Sequence, residues 1–276
     1  MRKAKDKTLK FLMSLCAAVT CLLLIGLIGY LLYRGIPGIN AKFLTTQTSY
    51  ISDSIGILPN ILNTLYLIVL VMIIVVPLGV GAAVYLTEYA SNKRISNAIG
   101  FAVETLTGIP SIIFGLVGML FFTQILGLRQ GILAGSLTLI IMVLPTFISN
   151  TKESLLAVPQ SYREGALALG SGKWHMVRTV VLPNAVDGIV TGCILAVGRV
   201  VGESAALLFT AGFGLKLLGF AEALQSSAAS LTVALYIYAS EEGKFDVAFS
   251  IAVILICITL IINLAASLVG KKVRKS

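Results

Sequence analysis

The sequence carries unusually little charge. Only 12% of its 276 residues are Asp, Glu, Lys or Arg, whereas soluble domains carry about 25%. Hydrophobic residues make up 57% of the chain, and the mean hydropathy is +0.97. So few charges cannot cover a water-facing surface, which excludes a disordered chain, a nucleic-acid-binding domain and an ordinary cytosolic enzyme.

Residues that build catalytic and metal centres are also scarce. The single histidine, His175, excludes a histidine cluster, and the four cysteines lie in apolar runs without the spacing of metal ligands (Cys16, Cys21, Cys193 and Cys257). The phosphate-binding loop Gly-x-x-x-x-Gly-Lys-Ser/Thr of nucleotide hydrolases is absent from the sequence. We therefore expect no metal site and no catalytic residue in this chain.

Long apolar runs, in contrast, are plentiful. Six of them are close to or above the roughly 20 residues that cross a bilayer as a helix: 11–33, 61–86, 99–125, 131–148, 186–209 and 247–268. Only helices and closed barrels satisfy the backbone in lipid, and these runs are too long and too continuously apolar for barrel strands. The sequence therefore predicts an all-α polytopic membrane protein with six transmembrane helices.

Positive charge is distributed unevenly between the segments that connect these spans. With the N-terminus in the cytoplasm, 15 of the 21 lysines and arginines fall in cytoplasmic segments, five fall in external ones, and Arg199 lies within a span. Because cytoplasmic loops are enriched in Lys and Arg, the bias predicts a multi-pass protein of the cell membrane with both termini in the cytoplasm. It also accounts for most of the net charge of +9 without a polyanionic partner.

The connection 150–184 between the fourth and fifth spans is long for so compact a protein. Ser161 and Glu164 have the spacing of a capping box, which predicts a helix over 164–169 that Gly170 and Gly172 end. A second, amphipathic helix is predicted over 173–181.

This second helix is expected to carry Trp174, Val177 and Val181 on one face and to end at Pro183. Two short helices that meet at a glycine form a knuckle with an apolar ridge. From the pattern alone, the ridge either docks into a groove of a partner protein or lies on the lipid surface.

Two charged residues lie close together in the fifth span. Arg199 and Glu203 are four residues apart, on one face of the expected helix together with the small residues Gly188 and Gly192. Glu104 lies in the third span. A charge within a membrane costs at least about 2.5 kcal/mol at the centre of a span, so such residues face protein or water and usually have a function.

We interpret Arg199, Glu203 and Glu104 as the lining of a pathway for an anion. The arginine offers a permanent charge and a fork of donors that suits phosphate-like oxygens, and Glu203 would orient it. The alternative is a buried pair, Arg199–Glu203 or Arg199–Glu104, that only holds helices together.

The loop 150–184 resembles the EAA loop of ABC importer permeases. The resemblance rests on Glu-x-Ala-x-x-x-Gly followed by Val-x-Leu-Pro, which correspond here to Glu164, Ala166, Gly170, Val180, Leu182 and Pro183. Gly165 stands where that family usually has alanine. The resemblance implies the fold of type I (MetI-like) importer permeases, with Glu164, Gly165, Ala166, Gly170, Leu182 and Pro183 in the element that couples to the ATPase.

Further segments resemble the phosphate-importer permeases, and the PstA kind in particular. They are residues 77–90, 104–111 and 198–211, the last with Ala206 where proline is usual. The resemblance implies a permease domain over 58–270. An N-terminal segment, 1–57, precedes it with a basic tail, the first span and an external loop, and a basic tail over 271–276 follows it.

The resemblance also implies the partners of the chain. They are a PstC-type permease, two PstB-type ATPases and an extracytoplasmic phosphate-binding protein, with phosphate as the transported substrate and lipid around the spans. The ATPases would hydrolyse ATP, so this chain would bind no cofactor of its own. The alternatives are a permease for sulfate, molybdate or phosphonate, or a membrane subunit with a structural or signalling role.

Overall fold

The computed structural model describes residues 2–49, 54–90 and 92–275. Some residues of the predicted N-terminal segment 1–57 and of the tail 271–276 therefore lie outside the described residues. The helices are α1 (Arg2–Gly35), α2 (Ala41–Thr45), α3 (Leu58–Val84), α4 (Lys93–Thr107), α5 (Ser111–Gly118), α6 (Ile132–Leu156), α7 (Gln160–Ala168), α8 (Lys173–Met176), α9 (Leu182–Gly202), α10 (Ala205–Thr210), α11 (Phe220–Ala223), α12 (Leu231–Tyr236) and α13 (Phe245–Lys275).

Several shorter elements join these helices. Wide π turns extend α3, α5, α8 and α12 at their C-terminal ends (Tyr85–Tyr89, Met119–Ile125, Val177–Val181 and Ile237–Glu241). A 3₁₀ turn, Ile36–Gly38, follows α1. The strands β1 (Gln47–Ser49) and β2 (Ser54–Ile57) pair antiparallel, with Gln47 opposite Ile57 and Ser49 opposite Ser54.

Within the described residues, five helical stretches are long and apolar enough to cross a membrane. They are Asp6–Gly38, Leu58–Tyr89, Ile132–Leu156, Lys173–Gly202 and Phe245–Leu268. The sixth candidate is a pair of helices, Asn97–Thr107 and Ser111–Ile125, that meet at an angle of 100°. The six predicted spans therefore correspond to five continuous stretches and one bent pair.

The predicted third span, 99–125, is not one continuous helix. Proline lacks the backbone N–H and disfavours the helical conformation of the residue before it, so Pro110 separates α4 from α5. Glu104 on α4 and the glycines of α5 consequently do not share one helical face. In contrast, Pro77 and Pro145 lie inside the continuous helices α3 and α6.

The prediction of one helix over 186–209 is also wrong. Helix α9 ends at Gly202, Glu203 is extended (φ −81°, ψ 121°), and α10 begins at Ala205. Close packing accompanies this break, because a Cβ on Gly115 of α5 would lie 2.7 Å from the Cα of Ala206 in α10. Such contacts require a residue without a side chain.

Three helices form the centre of the molecule. Helix α6 packs along both α3 and α9, and α9 packs in turn along α13. The core between them is aliphatic and almost completely buried (Leu67, Val71, Val75, Leu139, Met142, Val143, Val197 and Val200). Helix α1 contacts α13, but the apolar part of α1 is not buried by the rest of the chain. Many apolar side chains of α1 are therefore exposed, as expected for a helix in lipid.

Part of the segment 211–246, which connects the predicted fifth and sixth spans, packs into this core. Ala228, Ala229 and Leu231 are fully buried. The side-chain amides of Asn60 and Asn63 on α3 donate to the carbonyl of Ala229 at 3.0 and 3.1 Å. Irregular backbone at this depth is stable only where protein groups satisfy it, and the two asparagines supply that partner.

Candidate pathway and coupling site

Arg199 lies on α9, partly buried, and faces α6. Its Nη1 donates to Oγ1 of Thr146 at 3.0 Å. Thr146 lies just past Pro145, near the middle of α6. The structure thus places a guanidinium group between two central helices and anchors it to a neutral hydroxyl group.

Glu203 does not orient Arg199, in contrast to the prediction from the sequence. Because α9 ends at Gly202, the carboxylate turns to the start of α10, where its Oε1 accepts a hydrogen bond from the N–H of Ala206 at 3.0 Å. The carbonyl of Glu203 accepts from Thr232 Oγ1 at 2.8 Å. Glu203 is therefore a buried cap at the break in the helix.

Glu104 is exposed on α4, on the other side of the bend from α5. Across residues 2–49, 54–90 and 92–275, no ion pair joins Arg199 to either Glu104 or Glu203. The structure therefore does not bring the three predicted pathway residues together, and it does not contain the helix-locking pair that was the alternative.

A polar cavity of about 340 Å³ lies between Arg199 and the end of the bundle that carries α7 and α8. One wall comes from α9, with Gly188, Thr191, Gly192 and Leu195. The other wall comes from α6, with Asn150, Glu153 and Ser154. Leu195 is about one helical turn from Arg199, so the cavity continues the face that carries the arginine.

The contribution of α6 to this face was not predicted from the sequence. The predicted span ended at residue 148, whereas α6 continues to Leu156. Thr146, Asn150 and Glu153 are spaced four and three residues apart and so share one face of that helix. This polar spacing at the end of an apolar run was the signal that could have revealed the wall.

The knuckle (residues 160–181) consists of α7, α8 and the π turn that follows α8. Gly170 connects its two arms with a φ of +78°, a conformation that favours glycine. The predicted stop after the first short helix is therefore confirmed. The predicted cap at Ser161 is wrong, because α7 begins at Gln160 after Pro159, and no side-chain cap is present at its N-terminus.

The second arm of the knuckle differs from the prediction in two respects. Pro183 does not end it, because α8, its π turn and α9 form one continuous stretch in which Pro183 occupies the first turn of α9, a position that proline tolerates. In addition, Val177 and Val181 are fully buried within the chain, whereas Trp174 is 60% exposed. These three residues therefore do not form one docking face.

The residues of the EAA resemblance lie mostly on the surface. Glu164, Gly165, Gly170 and Pro183 are exposed, whereas Ala166 and Leu182 are partly buried. Large apolar side chains beside them are also exposed, namely Tyr162, Leu167, Leu169 and Trp174. An apolar surface on the tip of a knuckle is a common protein interaction site.

A buried ion pair attaches the knuckle to the bundle. The Nε of Arg163 donates to Oε1 of Glu88 at 3.0 Å, and the two side chains are only 10% and 7% exposed. Arg163 also donates to the carbonyls of Val158 and Leu155 at 2.6 and 2.7 Å. This pair was not predicted from the sequence, because its two members are 75 residues apart.

Comparison with known proteins identifies the family. The family model of the binding-protein-dependent transport system inner membrane component matches residues 75–275, well over half of the chain. The chain belongs to this family. It is therefore a permease of an ABC importer, a membrane subunit rather than the ATPase.

Two relatives illustrate the match. The chain is 37% identical over 287 residues to the probable ABC transporter permease protein YqgI of Bacillus subtilis, covering 99% of this chain and 98% of YqgI. It is 35% identical over 199 residues to the phosphate transport system permease protein PstA 1 of Mycobacterium tuberculosis. That alignment covers 71% of this chain and 64% of PstA 1.

Solved structures share the fold. A bacterial alginate ABC transporter, in complex with an alginate-pentasaccharide-bound periplasmic protein, matches all of this chain and 98% of its own with a TM-score of 0.70 at 17% identity. The inward-facing MetNI methionine ABC transporter matches 79% of this chain and 94% of its own with a TM-score of 0.61 at 22% identity. The fold is that of type I importer permeases, as the EAA resemblance implied.

Proposed function

We propose that this permease imports inorganic phosphate and forms half of the channel of an ATP-driven importer. The relatives named as phosphate permeases support the choice of substrate. The similarity to YqgI, whose name specifies no substrate, is compatible with it.

The observation that carries this proposal is the environment of Arg199. The guanidinium is partly buried in a spanning helix, and its hydrogen bond goes to the neutral Thr146. The nearest acidic residue in sequence, Glu203, is occupied as the cap of α10. Arg199 forms no ion pair within the described part of the chain, and a charge without such a partner in a membrane domain favours an anion beside it. The fork of donors suits phosphate oxygens.

The polar cavity between α6 and α9 extends the pathway from Arg199 toward the knuckle. Its lining combines small and hydrogen-bonding residues, which leave space for an anion and contribute little fixed charge apart from Glu153. Passage requires binding that is weak enough for release. One arginine, facing a second positive group on the partner permease, fulfils that condition.

The partners in this proposal are those of a phosphate importer. A PstC-type permease would complete the channel, and two PstB-type ATPases would dock on the exposed surface of the knuckle. An extracytoplasmic phosphate-binding protein would deliver the substrate on the opposite side. The knuckle and both termini would then face the cytoplasm, in agreement with the distribution of Lys and Arg.

In this mechanism, ATP binding closes the ATPase dimer and moves the knuckle, which opens the pathway outward. Phosphate leaves its binding protein and meets Arg199. ATP hydrolysis then returns the knuckle and opens the cavity lined by Asn150 and Thr191 to the cytoplasm. The permease supplies the pathway and the partners supply the energy.

Another oxyanion is the second candidate. The methionine and alginate transporters show that one permease fold occurs in importers of different substrates. A purely structural or signalling role agrees less well with the family, whose description is that of a transport component.

Uptake of isotope-labelled phosphate into vesicles that contain the complete complex tests this proposal. We expect uptake that requires both ATP and the binding protein and that excess unlabelled phosphate suppresses. Suppression by sulfate, molybdate or phosphonate but not by phosphate would assign the permease to that anion and refute the proposal.

A further inference from the structure

Both arms of the knuckle are attached to the same turn of the bundle. Arg163 in α7 pairs with Glu88, and the Nζ of Lys173 in α8 lies 5.1 Å from the centre of the Tyr89 ring. Glu88 and Tyr89 both belong to the π turn Tyr85–Tyr89 that ends α3. Turns of this kind are rare and frequently occur at functional sites.

Arg163 connects this turn to a second helix. Its guanidinium donates to the carbonyls of Leu155 and Val158, at and just after the end of α6. The carbonyls at the end of a helix lack intrahelical partners, and a cation there also interacts favourably with the helix dipole. One side chain thus holds the end of α3, the end of α6 and the helix α7 together.

A compact apolar cluster supports this arrangement from inside. It contains residues of α3, the end of α6, the second arm of the knuckle and the start of α9 (Ala83, Val84, Leu155, Val158, Met176, Val177, Val181 and Ala185). The knuckle therefore packs on the bundle through this apolar cluster, and Arg163 contacts the cluster at the carbonyls of Leu155 and Val158.

Helix α6 links this attachment to the proposed pathway. Leu155, whose carbonyl binds Arg163, lies nine residues after Thr146, about 13 Å along the same helix. Thr146 is the residue that anchors Arg199. A displacement of α7 that pulls on the end of α6 therefore reaches the anchor of the pathway arginine through one helix.

We propose that Arg163 is a positioning residue that makes the knuckle, α3 and α6 move as one rigid body. Motion of the ATPases then changes the side of the membrane from which the anion can reach Arg199. The proposal rests on the proposed function for the identity of the transported anion. It adds to that function the path by which motion of the knuckle is transmitted to the membrane domain, from α7 through Arg163 to α6.

The contacts predict unequal effects of the two partners. Replacing Arg163 removes every one of these bonds and leaves Glu88 buried without its counter-charge, which is costly. Replacing Glu88 with glutamine also removes the counter-charge of Arg163, but it keeps an oxygen acceptor and leaves both carbonyl bonds intact, so Arg163 can still join the three elements. Arg163→Lys retains the charge but cannot reproduce a planar fork that serves three acceptors.

The test is the number of phosphate ions moved per ATP hydrolysed by the complete complex in vesicles. We expect Arg163→Met to lower this ratio by about tenfold while ATP hydrolysis continues, Arg163→Lys to lower it less, and Glu88→Gln to leave it within about twofold of the wild type. Arg94→Met is the matched control, because Arg94 is an exposed arginine at the same end of the bundle, and its ratio should not change.

A merely structural role of Arg163 would reduce the amount of assembled complex without changing the ratio per complex, and that result would overturn the proposal. If Arg163→Met does not assemble, an unchanged ratio in Arg163→Lys would overturn it and a lowered ratio would support it. Wild-type vesicles that move no phosphate would instead refute the proposed function.

A distance measurement gives a readout that does not depend on phosphate. Spin labels at Ser161→Cys in α7 and Ile73→Cys in α3, both exposed positions, would be introduced after replacement of the four native cysteines. In the wild type, we expect the distance between the two labels to stay constant when vanadate traps the ATPases. In Arg163→Met, we expect the distribution of distances to broaden. A wild-type distance that changes on trapping would show that the knuckle and α3 do not move as one body.

Discussion

At the residue scale, the polar groups of the membrane domain have more specific tasks than their positions in the sequence suggest. Arg199 and Glu203 are four residues apart, yet one is anchored to α6 and the other caps α10. The reason is the extended backbone at Glu203, which redirects its side chain. A spacing rule for helices fails where the helix itself ends.

The two possible tasks of Glu203, charge and cap, are separable by substitution. We expect Glu203→Gln to preserve the melting temperature of the detergent-solubilised complex, because the amide oxygen can still accept from the N–H of Ala206. Glu203→Ala should destabilise it by about 1 kcal/mol, the usual cost of a lost cap. Equal melting temperatures for the alanine variant and the wild type would contradict the capping role.

At the element scale, the apolar runs predicted the existence of the helices well and their breaks poorly. The apolar composition of a long stretch is a local property of the sequence, so α1, α3, α6 and α13 were predictable. The break after Gly202 is accompanied instead by a tertiary contact, in which Thr232 donates to the carbonyl of Glu203 from a segment 29 residues away. No local pattern indicates such a contact.

The knuckle shows the same division between local and tertiary information. Gly170 was predictable as a stop, because a positive φ at a helix end is a backbone requirement that selects glycine. The burial of Val177 and Val181 was not, because it depends on the residues of α3 and α6 that cover them. The pathway wall on α6 was missed for a simpler reason: the hydropathy criterion ended the helix before Asn150.

The turn of the knuckle offers a direct test at this scale. Gly170→Ala should destabilise the knuckle by about 1 kcal/mol, because an L-residue in the left-handed region is strained, and should reduce the amount of ATPase that co-purifies. Gly172→Ala is the matched control. Gly172 has φ −68° and open space where a Cβ would lie, so its alanine variant should retain the ATPase.

If both alanine variants retain the ATPase equally, the conformation of Gly170 is not needed for docking. If both lose it, the surface of the turn rather than its backbone conformation determines association. Only a selective loss in Gly170→Ala agrees with a docking surface that depends on the left-handed backbone at this residue.

At the scale of the whole molecule, the fold combines a packed centre of α3, α6 and α9 with two candidate functional regions. The knuckle lies at one end of the bundle, and the polar cavity lies between α6 and α9, on the stretch of α9 that precedes Arg199. The segment that includes α12 closes the bundle from the other side, with Asn60 and Asn63 bound to its backbone. This arrangement agrees with a subunit that receives motion at one end and controls access in the middle.

The orientation of this bundle in the membrane can be measured with single cysteines in otherwise cysteine-free variants. A maleimide that does not cross membranes should label Lys216→Cys from outside intact cells and should label Ser161→Cys only after the membrane is opened. This result follows from the excess of Lys and Arg on the side of the knuckle. Labelling of Ser161→Cys in intact cells would show that the knuckle faces outward and would contradict the predicted orientation.

The central claim is that Arg199 lies on the path of phosphate, and the most direct test is uptake by Arg199→Gln. We expect labelled phosphate uptake to fall by at least about tenfold, because a charged hydrogen-bonding partner of the anion is lost, while the complex still assembles with its ATPases. Arg34→Gln is the matched control, since Arg34 pairs with the exposed Asp246 and should tolerate the change. Uptake by Arg199→Gln at the rate of the wild type would contradict the claim.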